Sequence, residues 1–176
     1  MKSRMCVAAL AAATLVSGAF AAAGEPVTIN AIDATGVGKA VGTLQLEDTE
    51  AGLKITPSLA GLPAGDHGFH VHANADCGPG NGADGKPAAG IAAGGHFDPA
   101  AAGKHLGPHG GGHKGDLPAL VVAADGNATA AVTAPHLKLA DVKGHAIVIH
   151  AGGDNYSDDP KPLGGGGARI ACGVVK

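Results

Sequence analysis

The 176-residue chain has no tryptophan, one tyrosine and three phenylalanines. Its interior therefore has to be filled by small aliphatic side chains. After Ala23 it shows no sustained helical period, no internal repeat and no linker, which excludes a helical bundle, a repeat array and a two-domain layout. Basic clusters are also missing. Without Lys2 and Arg4, the twelve basic residues fall to ten against fifteen acidic ones, a formal charge of −5. Nucleic acid is excluded as a partner on that balance.

Lys2 and Arg4 precede an Ala-rich apolar stretch from Cys6 to about Ala23, closed by small residues. This is the layout of a secretory leader over residues 1–23, with acceptable cleavage after Ala21 or Ala23. The stretch is poor in Leu and Val and has no stop-transfer flank, so no membrane anchor is expected once it is removed. Residues 24–176 form a single domain in this reading. Cys6 leaves with the leader. Cys77 and Cys172 remain, and export to an oxidising compartment makes a disulfide between them the default expectation.

What is abundant is turn chemistry: 31 glycines and eleven prolines. Between turns lie short alternating runs. Val27, Ile29 and Ala31 share one parity, as do Leu44 and Leu46, Leu53 and Ile55, and Phe69 and Val71. Further runs cover residues 117–123, 128–133, 145–151 and 168–175. About eight strands with turn signals between them point to an all-β antiparallel sandwich or barrel. Residues 73–116 contain little that reads as strand, an unusual length for a connection unless something other than a ladder holds it. Cys77 can pin its first part. Its second part carries His96, Asp98, His105, His109, His113 and Asp116, which suits folding around an ion.

In Asp66-His67-Gly68-Phe69-His70-Val71-His72, strand alternation sends His70 and His72 to one face while Phe69 and Val71 enter the core. His150 alternates in the same way against Ile147 and Ile149. His96, His105, His113 and Asp116 offer three imidazoles and a carboxylate, a set that suits tetrahedral zinc. A nitrogen-rich site around His70, His72 and His150 favours copper. Composition and spacing thus point to two metals, one suited to zinc and the other to copper.

Several motifs occur together and in order: Gly68-Phe69-His70-Val71-His72, Gly94-Gly95-His96-Phe97-Asp98-Pro99, His113-Lys114-Gly115-Asp116-Leu117-Pro118, and the run from Gly164 through Arg169 and Cys172 to Val175. The chain so described resembles the copper/zinc superoxide dismutases. His150-Ala151-Gly152-Gly153-Asp154-Asn155-Tyr156-Ser157-Asp158 resembles their periplasmic bacterial branch. The resemblance implies an eight-stranded Greek-key sandwich or flattened barrel. It implies copper on His70, His72, His96 and His150, and zinc on His96, His105, His113 and Asp116, with His96 shared. It also implies the Cys77–Cys172 disulfide, Asp154 placed between His70 and His105, and Arg169 over the copper as the anchor for superoxide. The activity implied is dismutation of superoxide to oxygen and hydrogen peroxide by a periplasmic enzyme, monomeric or homodimeric. The competing readings are a metal-binding protein without turnover and an inactive interaction module. Arg169 and the full copper set favour the enzyme, since storage requires no arginine beside the ion.

Other residues receive plainer readings. His67 shares the core parity and reads as a hydrogen-bonded interior histidine. His109 and His136 read as surface residues, and His145 has no assigned role. Tyr156 reads as packing in a loop near the site. Lys86 reads equally as a basic residue at a channel rim and as an ordinary solvated lysine.

Overall fold

A computed structural model describes Gly24 and residues 26–176; the expected leader lies outside the described residues. The strands are β1 (Val27–Asp33), β2 (Gly36–Thr49), β3 (Gly52–Leu59), β4 (Gly65–His67), β5 (Phe69–His72), β6 (Gly80–Asn81), β7 (Pro87–Ala88), β8 (Leu120–Val122), β9 (Val132–Ala134), β10 (Ala146–His150) and β11 (Arg169–Val174). One α-helical turn, α1 (Leu139–Val142), precedes β10. No helix among the described residues is long and apolar enough to cross a membrane.

Seven strands form a single antiparallel sheet in the order β5-β10-β11-β1-β2-β3-β9, and β4 pairs with β8 beside it. The chain crosses from β3 to β4–β5 and returns from β8 through β9 to β10, the Greek-key order of connections. The alternating runs set the register. Leu44 and Leu46 on β2 face inward with Leu53 and Ile55 on β3, Leu46 directly opposite Ile55, and all four are fully buried. Phe69, Val71, Ile147 and Ile149 close the same core from β5 and β10. With so few aromatics, Phe69 is the largest side chain in it.

Two differences from the sequence reading have physical reasons. The run at 128–133 is strand only over β9, because Ala128 makes a single bridge to Leu59 before the chain leaves the ladder. The long 73–116 connection is not structureless. Its backbone zips onto the free edge of β5: Phe97 N–H donates to Val71 O at 2.8 Å, Val71 N–H to Gly115 O at 2.9 Å and Ala73 N–H to Gly95 O at 2.9 Å. Loop segments thus cover an edge that would otherwise be exposed.

The first part of that connection is tied down covalently. Cys77 and Cys172 form a disulfide with Cα atoms 5.7 Å apart, 95 residues apart in sequence. Closing a loop of that length contributes about 4–5 kcal/mol in the chain-entropy account. The bridge sits in a small second core with Ile32, Ala93, Ala146 and Val148.

Candidate metal centre

His70 and His72 leave β5 on the face opposite Phe69 and Val71, as the two-residue pleat requires. Strand β10 pairs with β5 and delivers His150 at its C-terminal end. His96 follows the 3₁₀ turn Ile91–Ala93 and bridges to His72 across the zipped edge. These four imidazoles offer nitrogens within 4.8 Å of one another. His96 also belongs to a second set, with His105, His113 and Asp116, that meets the same criterion. The residues expected to meet do meet.

The hydrogen bonds decide which nitrogen of each ring faces inward. His72 Nδ1 lies 2.9 Å from Gly94 O, His150 Nδ1 lies 3.2 Å from Gly167 O, and His70 Nε2 lies 2.7 Å from Asp154 Oδ2. The opposite nitrogens, His72 Nε2, His150 Nε2 and His70 Nδ1, are left to converge; the first two are 3.3 Å apart. In the second set, His105 Nε2 is held by Asp154 Oδ1 at 2.7 Å, leaving its Nδ1 free. The Nδ1 atoms of His96, His105 and His113 lie 2.9, 3.0 and 3.5 Å from Asp116 Oδ1.

His70 Nδ1, His96 Nε2, His105 Nδ1 and His113 Nδ1 are buried and without a hydrogen-bond partner. A buried polar atom left unpaired costs about 1–3 kcal/mol, so four in one place call for an occupant. Imidazole nitrogens aimed at a common point, with His70 and His105 steered by Asp154 on their other nitrogens, are the donor arrangement of a metal site. The residues therefore fit two ions. His96 presents Nδ1 to one set and Nε2 to the other.

The charge states of the first set agree. Burial lowers the pKa of His70 and His72, in the second case reinforced by the nearby Arg169 charge. Burial likewise brings His96 down to about 4 and His150 to about 3. All four are neutral at pH 7, with a lone pair available. Burial acts against protonation of His105 too, but the Asp116 and Asp154 carboxylates beside it outweigh it and raise the group to about 9. Burial alone would raise both carboxyls. The His105 and His96 rings beside it instead hold Asp116 low, and bonds from His105 and His70 do the same for Asp154.

Arg169 begins β11 opposite His150. Its guanidinium donates from Nη1 to Gly90 O and from Nη2 to Gly94 O, the latter at 2.6 Å. Two carbonyls of the disulfide-anchored segment thus fix its plane beside the first set. Asp154 needs close company as well. A Cβ on Gly164 would lie 2.0 Å from Asp154 Oδ1 and 2.8 Å from His105 Nε2, so only glycine fits there.

Some candidates stay outside. The Asp98 carboxylate accepts from Ala102 and Gly103 amides at 3.0 and 2.9 Å, which closes a turn. His109 and His136 are exposed. His67 is buried between His150 O and Pro63 O, at 2.7 and 2.8 Å, as an interior histidine. His145 packs against Phe97, the rings tilted by 45° with centres 4.2 Å apart. Lys86 Nζ lies 3.6 Å from Asp84 at the surface, so its charge is partly offset. Tyr156 is more engaged than a packing residue. Its backbone N–H donates to Asp154 Oδ1 at 2.8 Å and its phenol oxygen accepts from Ala119 N–H at 2.9 Å. Only its place two residues after Asp154 hinted at this.

Comparison with known proteins agrees with the geometry. Residues 40–175 match the family model described as copper/zinc superoxide dismutase. The chain is 58% identical over 169 residues to superoxide dismutase [Cu-Zn] 2 of Salmonella typhimurium, covering 95% of this chain and 97% of the relative. Its fold matches the solved Cu/Zn superoxide dismutase from Brucella abortus with a TM-score of 0.85 and 49% identity, covering 88% of this chain and all of that one. It also matches the solution structure of the monomeric copper, zinc enzyme from Salmonella enterica, with a TM-score of 0.78 and 58% identity, over 88% of this chain and 100% of the other. A match over most of the chain, two imidazole-rich sets sharing one histidine, and a Greek-key β fold together place this chain in the copper/zinc superoxide dismutase family.

Proposed function

We propose that His70, His72, His96 and His150 hold the copper of this superoxide dismutase, and that His96, His105, His113 and Asp116 hold its zinc. The observation that carries the assignment is the placement of His96: Nδ1 stands 2.9 Å from Asp116 Oδ1, while Nε2 is buried and unpartnered toward the first set. Copper supplies reversible one-electron chemistry at such a site, and zinc supplies a fixed positive charge that does not change oxidation state.

The overall reaction converts two superoxide anions and two protons to oxygen and hydrogen peroxide. Both anions reach the same place in turn, so binding has to be fast, weak and oriented. Arg169 supplies that orientation. Its always-charged fork, pinned by Gly90 and Gly94, attracts the anion and donates hydrogen bonds to it without reorganising. His96 is the proton carrier in this proposal. Nδ1 is fixed toward Asp116, so Nε2 alone alternates between offering a lone pair and holding a proton that it passes to the peroxide product. Asp154 keeps the His70 and His105 rings in the tautomers that aim Nδ1 inward.

We further propose that residues 1–23 are an export leader, that the mature enzyme works in the periplasm, and that it is a monomer like the Salmonella enterica relative. Sedimentation of the metal-loaded enzyme checks the last point.

Metal analysis of single variants tests the ligand assignment. His72→Ala and His150→Ala are expected to lose copper and keep zinc. His113→Ala and Asp116→Asn are expected to lose zinc and keep most copper. His96→Ala is expected to weaken both. Copper loss from His113→Ala with zinc retained would reverse the assignment.

A further inference from the structure

We propose that Tyr156 is a positioning residue of the zinc half of the centre, fastening from outside both carboxylates that hold its histidines. The inference rests on the zinc assignment made above.

Three observations meet at this side chain. The first is its backbone. Tyr156 has φ 56°, a left-handed conformation that bulky residues avoid. The N–H of this residue donates to Asp154 Oδ1, at 2.8 Å, beside the 2.7 Å contact between the same oxygen and His105 Nε2. A strained non-glycine residue next to a functional carboxylate persists only where its surroundings compensate for it.

The second observation is the ring. A Cβ on Gly107 would lie 2.7 Å from both Cβ and Cγ of Tyr156, so the aromatic ring rests directly on that glycine. Gly107 has φ +69° and is buried. Its N–H and that of Leu106 each donate to Asp116 Oδ2 at 3.2 Å. They hold the outer oxygen of the carboxylate whose inner oxygen faces His96, His105 and His113. By covering Gly107, Tyr156 holds these two donors in place.

The third observation is the phenol. Its oxygen accepts from the backbone of Ala119 at 2.9 Å, three residues beyond Asp116. One residue thus ties the segment after Asp154 to both stretches of chain that carry Asp116 and its donors. The residue is 39% exposed, so little core burial competes with this role. Of the two Asp154 oxygens Tyr156 holds Oδ1, the one on His105, and not Oδ2, the one on the copper-set His70, so its influence should fall mainly on zinc.

Two variants separate the parts. Tyr156→Asn keeps a side chain that tolerates φ > 0 and removes the ring; Tyr156→Phe removes one oxygen and keeps the ring. The readouts are the rate at which holoprotein releases zinc to a chelator, the copper retained, and the visible spectrum with cobalt in the zinc position. Tyr156→Asn is expected to release zinc about 10-fold faster, the lower end of what losing an outer-shell partner costs, with copper retained and the cobalt spectrum shifted. Tyr156→Phe is expected to lie between it and the native protein, and serves as the test if Tyr156→Asn fails to fold. Native zinc-release rates in the variants would overturn the inference. So would equal acceleration of zinc and copper loss in step with a lower melting temperature, which marks general destabilisation. His113→Ala serves as the control: if it keeps zinc, the zinc assignment itself fails, whereas zinc loss there with native rates at Tyr156 rejects only the role of Tyr156.

Discussion

His70 and His105 stand edge to face with ring centres 5.4 Å apart and are joined by one carboxylate, each Nε2 lying 2.7 Å from a different oxygen of Asp154. One residue belongs to the proposed copper set and the other to the zinc set. Asp154 is therefore a second link between them, parallel to His96. Asp154→Asn offers one acceptor where two are required, and its amide N–H₂ opposes an imidazole N–H. Zinc affinity is expected to fall about 10–100-fold, measured by chelator competition. Native affinity in this variant would show that ring orientation does not depend on the link.

Arg169 is expected to matter for rate and not for metal. Arg169→Ala removes the fixed cation while leaving every imidazole in place. The rate constant for superoxide decay should drop about 100-fold with copper and zinc contents unchanged. Arg169→Lys should recover only part of it, because a lysine cannot span Gly90 O and Gly94 O with a planar fork.

The metal-free protein should be sensitive to acid. His70, His96 and His150 have folded pKa values below the ordinary 6.5, the last two at about 4 and 3. Between those values and 6.5 the unfolded chain binds protons that the folded chain refuses. Stability from these groups is present above 6.5 and is lost as pH falls toward 3. Asp116 and Asp154, also held low, add to the loss at the acid end. His105 works in the opposite sense: raised to about 9, it contributes below 6.5 and loses that contribution as pH climbs through 9. Urea midpoints of chelator-treated protein should peak near pH 6.5 and fall on both sides. A midpoint that rises steadily from pH 5 to pH 3 would contradict this.

Loss of the disulfide should be felt in both stability and turnover. Cys172→Ser is expected to cost about 2–5 kcal/mol in denaturant unfolding. Cys77 opens the segment whose Gly90 and Gly94 carbonyls hold Arg169, so the superoxide rate should decline as well. Stability lost with a native rate would separate the disulfide from the placement of Arg169.

Much of the site was legible because its signals are side-chain signals. Alternation in Phe69-His70-Val71-His72 separates core from metal face on inspection, and β5 shows the same division. His105, His113 and Asp116 were found by donor chemistry and their place in one loop. The order of that loop was not legible. Its hold on β5 runs through the backbones of Phe97, Gly115 and Gly95, and backbone pairing between distant residues leaves no mark on side-chain pattern. The same holds for Tyr156, whose contribution depends on a left-handed φ and on the bare face of Gly107. The strand count differed for a related reason: β4, β6 and β7 have too few residues for alternation to appear.

The sharing of His96 is tested most directly by paramagnetic resonance of the enzyme carrying copper in its own site and cobalt in place of zinc. One imidazole bonded to both ions couples their unpaired electrons, so the copper signal should be strongly broadened or lost relative to the copper/zinc protein. An unchanged copper signal with one equivalent of each metal bound would show that residue 96 does not join the two sites.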